Sequence, residues 1–261
     1  MRTPCIVLVD PVSTGACVAR DAVARGYRVV RLWSKELSQE LREFLPDGCQ
    51  VEYLATVEEA DTIKATAKRL LAIFTPDAII CGAETGVLLT DFLSEHLGIA
   101  TNGTGLGNRR DKHVQQQAVR AVVGLRAVRE ACGTQWSAVE DFVQTERMPI
   151  VLKPADSGGS DGVKLCHTVE EAEAHFHQLL QAQRRLGVKG GAVLCQEYLK
   201  GEEYVIDCVS SAGEHKVINV WKYDKRPLNG MRCAHALSPA RLASPRPSCS
   251  SCAPRPPTSL C

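Results

Sequence analysis

The sequence carries almost no net charge, because 31 lysines and arginines are balanced by 30 aspartates and glutamates, which leaves +1 at pH 7. A chain this close to neutral has no excess of basic residues to attract nucleic acid or an anionic membrane. It also lacks an apolar run long enough to cross a bilayer, and the apolar stretch at residues 5–9 is too short for a signal peptide. We therefore expect no nucleic-acid partner, no membrane association and a cytoplasmic location.

The twelve cysteines lack the spacing of a zinc site or of a disulfide framework. Five of them, Cys5, Cys81, Cys166, Cys195 and Cys208, lie in or beside apolar runs, where free cysteine behaves as a small hydrophobic residue, as is typical of a reduced compartment. The C-x-x-C motif at Cys249 and Cys252 has no second half nearby. His175 and His177 lie in a charged helical segment, and we expect both at the surface. The sequence thus predicts no metal ligand in this chain.

Two common nucleotide-binding fingerprints are missing as well. In the run GGSDGVK, a valine separates the last glycine from Lys164, and no Ser or Thr follows that lysine, so this is not a Walker A loop. The segment Asp10–Gly15 contains one glycine, where a dinucleotide fingerprint needs three. A dehydrogenase built on the first hundred residues is therefore disfavoured.

What the first hundred residues do contain is a regular alternation of strand and helix patterns. The predicted strands are Cys5–Val9, Tyr27–Trp33, Gln50–Ala55 and Ala78–Cys81. The predicted helices are about Ala16–Arg25, Lys35–Phe44, Val57–Phe74 and Gly86–His96. Repeated strand–helix units of this size indicate an α/β fold with a doubly wound parallel sheet.

In such a sheet, ligands collect at the carboxyl ends of the strands. This places the segments Asp10–Gly15 and Gly82–Thr85 on one edge. Ser13, Thr14 and Glu84 are candidates for substrate contact there. The alternative is a purely local role, in which Ser13 or Thr14 caps the following helix.

A second kind of pattern begins at residue 148. An apolar strand, Pro149–Leu152, ends in Lys153 and Pro154, and a glycine-rich loop, Ser157–Gly162, follows. Glycines let successive backbone N–H groups point at one anion, so a lysine at a strand end beside this loop suits phosphate binding. A flexible hairpin loop after an edge strand is the alternative. Val163–Cys166 returns as a strand, a long helix starts near Thr168, and a strand follows at Val193–Leu199.

Two runs carry a resemblance to a known family: VLKPADSGGSDGVKLC at 151–166 and CQEYLKGEEYVIDCVS at 195–210. Together, in this order, they resemble the second lysine with its glycine-rich loop and the adenine-and-ribose segment of the ATP-grasp superfamily, in its carboxylate–amine ligase branch. The resemblance covers roughly residues 3–230. It implies a Rossmann-like pre-ATP-grasp domain at 1–108, joined by a linker near 98–110 to an incomplete α+β ATP-grasp domain at 109–230.

The resemblance also implies which residues hold ATP. Lys112, at the start of a helix, and Lys153 would neutralise the phosphates, and the loop would close over them through Ser157, Gly158, Gly159, Ser160 and Gly162. Gln196 would face the adenine amino group, and the backbone of Glu197 and Leu199 would meet the edge of the ring. Glu203 would bind the ribose hydroxyls.

Further candidates follow along the same segment. Asp207 shares a strand face with Glu203 and would contact a substrate, although an acidic outer face of an edge strand explains it equally well. Lys222 and Arg226 share a face of the returning strand, and the resemblance makes them, with Lys153, candidates for contact with the transferred phosphoryl group.

The implied reaction joins a carboxylate, expected to be that of an amino acid, to an amine. The carboxylate attacks the γ-phosphate of ATP, and the amine then displaces phosphate from the acyl phosphate. Mg²⁺ is expected of the family, whose glutamate and Glu-x-Asn ligands would follow residue 230. Residues 231–261 instead contain six prolines, six serines and no acid, which predicts a disordered tail and a chain truncated before its metal-binding segment. A catalytically inactive nucleotide-binding or interaction protein therefore stays open as an alternative.

Overall fold

The computed structural model describes residues 3–105, 109–156, 161–182, 191–228 and 231–239, with the backbone alone for 224–228 and 231–239. The chain divides into two compact units, Met1–Tyr198 and Leu199–Cys261. In the described ranges the first unit contains two sheets and the second unit one. None of the helices in these ranges is both long enough and apolar enough to cross a membrane.

The first sheet is parallel, with strand order β3-β2-β1-β4. Its strands are β1 Cys5–Val9, β2 Arg28–Trp33, β3 Ala55–Glu58 and β4 Ala78–Cys81. The helices between and after them are α1 Thr14–Ala24, α2 Gln39–Arg42, α3 Ile63–Leu71 and α4 Val87–His96. This confirms the predicted α/β class with a parallel sheet.

Helices cover both faces of this sheet, as the fully apolar sequence of β1 predicts. Alternate residues Cys5, Val7 and Val9 pack with α3 and α4, whereas Ile6 and Leu8 pack with α1 on the other face. Side chains alternate across a strand, so a strand buried on both faces must be apolar throughout. All five residues of β1 are buried.

Some boundaries differ from those that the sequence pattern predicts. The third strand lies at β3 Ala55–Glu58 rather than Gln50–Ala55, because it pairs in parallel with β2 from Val30 onward. The helix expected at Lys35–Phe44 shortens to α2, which begins after Ser38, whose side chain accepts a hydrogen bond from the Leu41 amide. Strand pairing therefore sets the limits of β3, whereas local capping by Ser38 sets the start of α2.

The second sheet of the first unit is antiparallel, with strand order β5-β8-β6-β7. Its elements are α5 Lys112–Arg120, β5 Glu130–Gly133, α6 Glu140–Thr145, β6 Ile150–Pro154, β7 Lys164–Cys166, α7 Val169–Gln181 and β8 Val193–Glu197. Its core lies between the sheet and the helices α6 and α7, with Ile150, Leu152 and Phe176 fully buried.

The second unit is an antiparallel sheet of β9 Tyr204–Ser211, β10 Glu214–Leu228 and β11 Met231–Pro239, with β10 in the centre. The strand β11 falls within the segment that composition assigns to a disordered tail. It pairs with β10 from Leu228↔Met231 to Trp221↔Pro239. Composition averaged over 31 residues does not reveal this strand, because the strand forms by pairing with β10. Residues 240–261 lie outside the described ranges.

Candidate functional site

One face of the second sheet brings Lys153 and Gln196 together. Along β6, Ile150 and Leu152 point into the core formed with α6 and α7, so Lys153 lies on the opposite face. The register with β8 pairs Lys153 with Leu194 and Val151 with Gln196. Lys153 and Gln196 therefore share the face that points away from this core.

Lys112 reaches the same end of β6. Helix α5 is capped by Asp111, whose side chain accepts hydrogen bonds from the amides of His113 at 2.8 Å and Val114 at 3.2 Å. This confirms the helix start predicted at this position. The backbone N–H of Lys112 donates to the Ala155 carbonyl at 2.9 Å, and its Nζ lies 3.4 Å from that oxygen. Helix α5 thus brings Lys112 to the end of the strand that carries Lys153.

Burial and nearby charges shift the pKa of the Lys112 amine. Burial lowers the pKa of the Lys112 amine below its ordinary value, and the nearby carboxylates of Glu84 and Asp156 partly offset that shift. Removing a cation from water disfavours its charged form, whereas anions nearby favour it. A bound phosphate would add another anion and would therefore raise the pKa of the Lys112 amine, favouring its charged form.

The glycine-rich loop is only partly described. Ser157, Gly158, Gly159 and Ser160 lie outside the described residues. Gly162 has φ +73°, and a Cβ at this position would lie 2.8 Å from a methyl carbon of Leu179. His175 of α7 is 8% exposed, with Nε2 2.9 Å from the Gly162 carbonyl oxygen, so the predicted surface position of His175 is wrong. The sequence offered no signal for this contact, because it depends on how α7 packs.

The residues expected at the adenine have different surroundings. Gln196 is buried, and its Nε2 donates to Glu130 Oε2 at 2.6 Å. The Glu197 carboxylate accepts from Arg126 Nη2 and from the Arg129 amide, both at 2.9 Å. The Glu197 backbone N–H also donates to the Arg129 carbonyl at 3.0 Å, so the role expected of the Glu197 backbone falls to its carbonyl oxygen. Leu199 is 53% exposed.

In the second unit the candidate residues divide between two sheet faces. Asp207 pairs with Asn219 and accepts a hydrogen bond from Trp221 Nε1 at 2.7 Å. Lys222 pairs with Tyr204, and its Nζ contacts the Glu202 carboxylate. Because neighbouring side chains alternate, Asp207 and Lys222 lie on opposite faces.

The remaining candidates of this unit are seen mainly through their backbone. The Glu203 carbonyl accepts from the Tyr223 amide at 2.9 Å. The backbone of Arg226 pairs with Ala234, and the Arg226 side chain lies outside the described part.

The carboxyl edge of the first sheet is held together by a buried aspartate. Asp10 is fully buried; its carboxylate accepts hydrogen bonds from the Ser34 amide at 2.8 Å, from Ser34 Oγ at 2.5 Å and from Thr85 Oγ1 at 2.6 Å. Three strand ends are thereby joined. The two segments predicted on this edge, Asp10–Gly15 and Gly82–Thr85, do meet.

Ser13, Thr14 and Glu84 all lie at this edge. The Ser13 amide donates to the Phe44 carbonyl at 2.9 Å, and Ser13 has φ +50°. Ser13 occupies the N-cap position of α1, but among the described residues its side chain makes no capping hydrogen bond there, so the alternative of side-chain capping by Ser13 is wrong. Thr14 is exposed, and Glu84 begins a 3₁₀ turn, Glu84–Gly86.

Sequence reasoning missed Arg110, which connects this edge to the lysines. Its side chain is 6% exposed; Nη1 donates to Glu36 Oε2 at 2.6 Å, and Nε lies 3.9 Å from Glu84 Oε1. Nη2 lies 3.5 Å from the Asp156 carbonyl, just past the end of β6. Nothing in the local pattern GNRRDK distinguishes a buried arginine from a solvated one. The edge with Glu84 and the Lys112–Lys153 region are thus linked through one guanidinium.

Among the described residues, no three histidine, cysteine, aspartate or glutamate side chains come together as metal ligands would. Mg²⁺ needs several oxygen ligands in near-octahedral geometry. Because one or two protein carboxylates can suffice beside phosphates and water, the described residues identify no particular magnesium ligand, and we assign none.

Comparison with known proteins agrees with the two sequence motifs. Residues 146–244 match the ATP-grasp domain family. Dapdiamide A synthase of Enterobacter agglomerans is 31% identical over 160 residues, which are 60% of this chain and 38% of that protein. The alanine–anticapsin ligase of Bacillus subtilis is 23% identical over 243 residues, 85% of this chain and 50% of that ligase. The chain thus spans half the length, or less, of these relatives.

A solved structure shares the fold. The ADP complex of an N5-carboxyaminoimidazole ribonucleotide synthetase superposes with a TM-score of 0.66 at 16% identity, covering 94% of this chain and 60% of that one. At this identity the likeness establishes the fold. It agrees with the predicted fold class, a parallel-sheet α/β domain followed by an α+β domain.

Proposed function

Because this chain belongs to the ATP-grasp superfamily, we propose that it is the ATP-binding part of a ligase that joins the carboxylate of an amino acid to an amine, with release of ADP and phosphate. The observation that carries the proposal is that α5 brings Lys112 to the end of β6, the strand that carries Lys153, on the sheet that also bears Gln196. Two lysines carried at this strand end would supply positive charge for the phosphates of a nucleotide.

Each residue group has a distinct task in this proposal. Lys112 and Lys153 bind and neutralise phosphate oxygens, and Gln196 with the backbone of Glu197 and Leu199 binds the adenine. Glu203 binds the ribose. Glu84, Ser13 and Thr14 at the edge of the first sheet, together with Asp207, contact the acid or the amine.

In the proposed reaction the carboxylate oxygen attacks the γ-phosphorus, the bond to ADP breaks, and an acyl phosphate forms. The amine nitrogen then attacks the acyl carbon, and phosphate leaves. Lys153, Lys222 and Arg226 would stabilise the charge on the transferred group. The alternative of an inactive binding protein gains no support from the named relatives, a synthase and a ligase.

The affinity for ATP tests the proposed phosphate-binding role of Lys153. We expect Lys153→Ala to weaken ATP binding about tenfold or more, because a hydrogen bond to a charged phosphate contributes about 1.5–3 kcal/mol. Isothermal titration calorimetry measures the affinity. The matched control is Lys68→Ala, which removes an exposed lysine from α3 in the first sheet domain. Equal ATP affinity of Lys153→Ala and Lys68→Ala would contradict the phosphate role.

Turnover tests the ligase assignment separately. We expect amino-acid-dependent ADP release from a chimera in which the residues after Gly230 are replaced by the corresponding segment of the alanine–anticapsin ligase, because the family's magnesium ligands are expected in that segment. The assay follows ADP formation with a panel of amino-acid pairs. A folded chimera that binds ATP and turns over none of the pairs would favour the binding-protein alternative.

A further inference from the structure

A buried carboxylate lies directly behind the glutamine proposed to meet the adenine. Glu130 begins β5 and pairs with Gln196 across the antiparallel ladder. Its side chain has no solvent exposure. One carboxylate oxygen, Oε2, accepts from Gln196 Nε2 at 2.6 Å. The other, Oε1, lies 2.8 Å from His113 Nδ1.

This contact fixes the orientation of the glutamine amide. A side-chain amide offers a donor NH₂ at one end and an acceptor oxygen at the other, and local hydrogen bonds decide which end faces which way. A carboxylate only accepts, so the NH₂ of Gln196 must face Glu130. The amide oxygen is then the atom left to meet a ligand.

His113 holds the carboxylate in turn. It follows Lys112 on α5, and its second ring nitrogen, Nε2, lies 2.9 Å from Gln117 Nε2. A histidine that donates Nδ1–H to Glu130 presents Nε2 as the acceptor for that amide. The network therefore runs from α5, which carries the phosphate lysine, through Glu130 to Gln196.

We propose that Glu130 is a positioning residue that sets base selectivity by holding the Gln196 amide oxygen towards the ligand, where it accepts a hydrogen bond from the exocyclic amino group of a 6-aminopurine. A 6-oxopurine presents a carbonyl oxygen in that place and would face another acceptor. A buried polar group that meets the wrong partner weakens binding strongly. This inference rests on the proposed ATP site.

The test compares ATP with ITP, which differ at position 6 of the purine and in the hydrogen that N1 carries in ITP; the variants are therefore compared by the change in the ATP-to-ITP ratio. Competition binding to the full chain gives the ratio of the two dissociation constants. In Glu130→Gln the neutral amide can donate as well as accept, which releases Gln196 to turn its NH₂ towards the ligand. We expect the preference for ATP over ITP to fall about tenfold.

A second substitution keeps the test decisive if Glu130→Gln fails to fold. Gln196→Met removes the amide at similar size and should lower the same preference while Glu130 stays in place. The double variant should lower it no further, because Glu130 acts through Gln196. Asp91→Asn is the matched control: its carboxylate, 6% exposed and accepting a hydrogen bond from Arg109 Nε at 2.8 Å, is a buried ion-pair carboxylate on α4. It should leave the ATP-to-ITP preference unchanged.

The outcomes separate this inference from the proposed function. A chain that binds neither nucleotide overturns both. A chain that binds ATP, with an unchanged ATP-to-ITP ratio in folded Glu130→Gln, overturns the role of Glu130 alone. An unchanged ratio in Gln196→Met overturns that role together with the adenine contact of Gln196. A lowered ratio in both single variants, without a further loss in the double variant, supports it.

Discussion

At the scale of single residues, the functional candidates are set by what surrounds them rather than by their type. Lys112 is a helix-start lysine in sequence, yet it is half-buried beside the Ala155 carbonyl. Arg110 and Glu130 are charged residues that the fold shields from water, and each is held by named partners. Buried charges persist where they are paired and hydrogen-bonded, and they often mark functional positions.

The lowered pKa of Lys112 predicts how ATP affinity depends on pH. The protonated amine attracts phosphate, so its contribution is complete below its pKa in the free protein and is lost as the pH rises above it. Because burial lowers that pKa, the loss should begin below the ordinary lysine value of 10.5. Dissociation constants for ATP measured between neutral pH and about pH 10 would show it.

Lys112→Arg is the matched variant for this titration, because guanidinium stays protonated over the whole range. Relative to its own affinity at neutral pH, this variant should lose less ATP binding at alkaline pH than the natural chain. Parallel pH curves for the two proteins would show that Lys112 does not contact the phosphates.

At the scale of elements, the carboxyl edge of the first sheet depends on close backbone approach. A Cβ on Gly15 would lie 2.2 Å from the Gly82 carbonyl oxygen, and a Cβ on Gly82 would lie 2.7 Å from that of Asp10. The start of α1 therefore rests directly on the segment after β4. This contact positions Ser13 and Thr14 beside Glu84's segment.

Gly15→Ala should therefore destabilise the protein. The added methyl group meets backbone that cannot rotate away, and overpacking of this kind costs about 1–3 kcal/mol. Urea unfolding measures the change in the free energy of unfolding. Gly105→Ala is the control, since a Cβ there meets no described atom within 4 Å. Equal stability of the two variants would show that the edge relaxes more easily than its geometry indicates.

At the scale of the whole molecule, the two units differ in how much apolar surface they bury. The buried hydrophobic residues of the described chain run from Cys5 to Cys195, all in the first unit. The described side chains of the second unit are exposed or half-buried, with Ile206 58%, Val209 58%, Val217 50% and Ile218 55% exposed. The first unit therefore has its own cores, and the second presents apolar surface.

We expect a fragment of residues 1–198 to fold cooperatively by itself, because its cores need no residue of the second unit. The full chain should bind the dye ANS, and the fragment should bind it much less, since the exposed apolar strands are removed. Thermal unfolding by circular dichroism and dye fluorescence measure both. A fragment that fails to fold, or equal dye binding by the two proteins, would contradict this division.

The sequence alone determined the local features of this protein. The unbroken apolar run of β1 required burial on both faces, the order of strand and helix patterns required a parallel sheet, and Asp111 before Lys112 predicted the start of α5. Each of these depends on residues that are neighbours along the chain.

The tertiary structure alone decided which distant residues meet. The pairing of β5 with β8 placed Glu130 beside Gln196, and the docking of α5 on β6 brought Lys112 to Ala155. Packing of α7 buried His175 against Gly162, and pairing with β10 made a strand of Met231–Pro239. Strand register and helix docking join residues far apart in the chain, and a short sequence pattern holds no information about its partner.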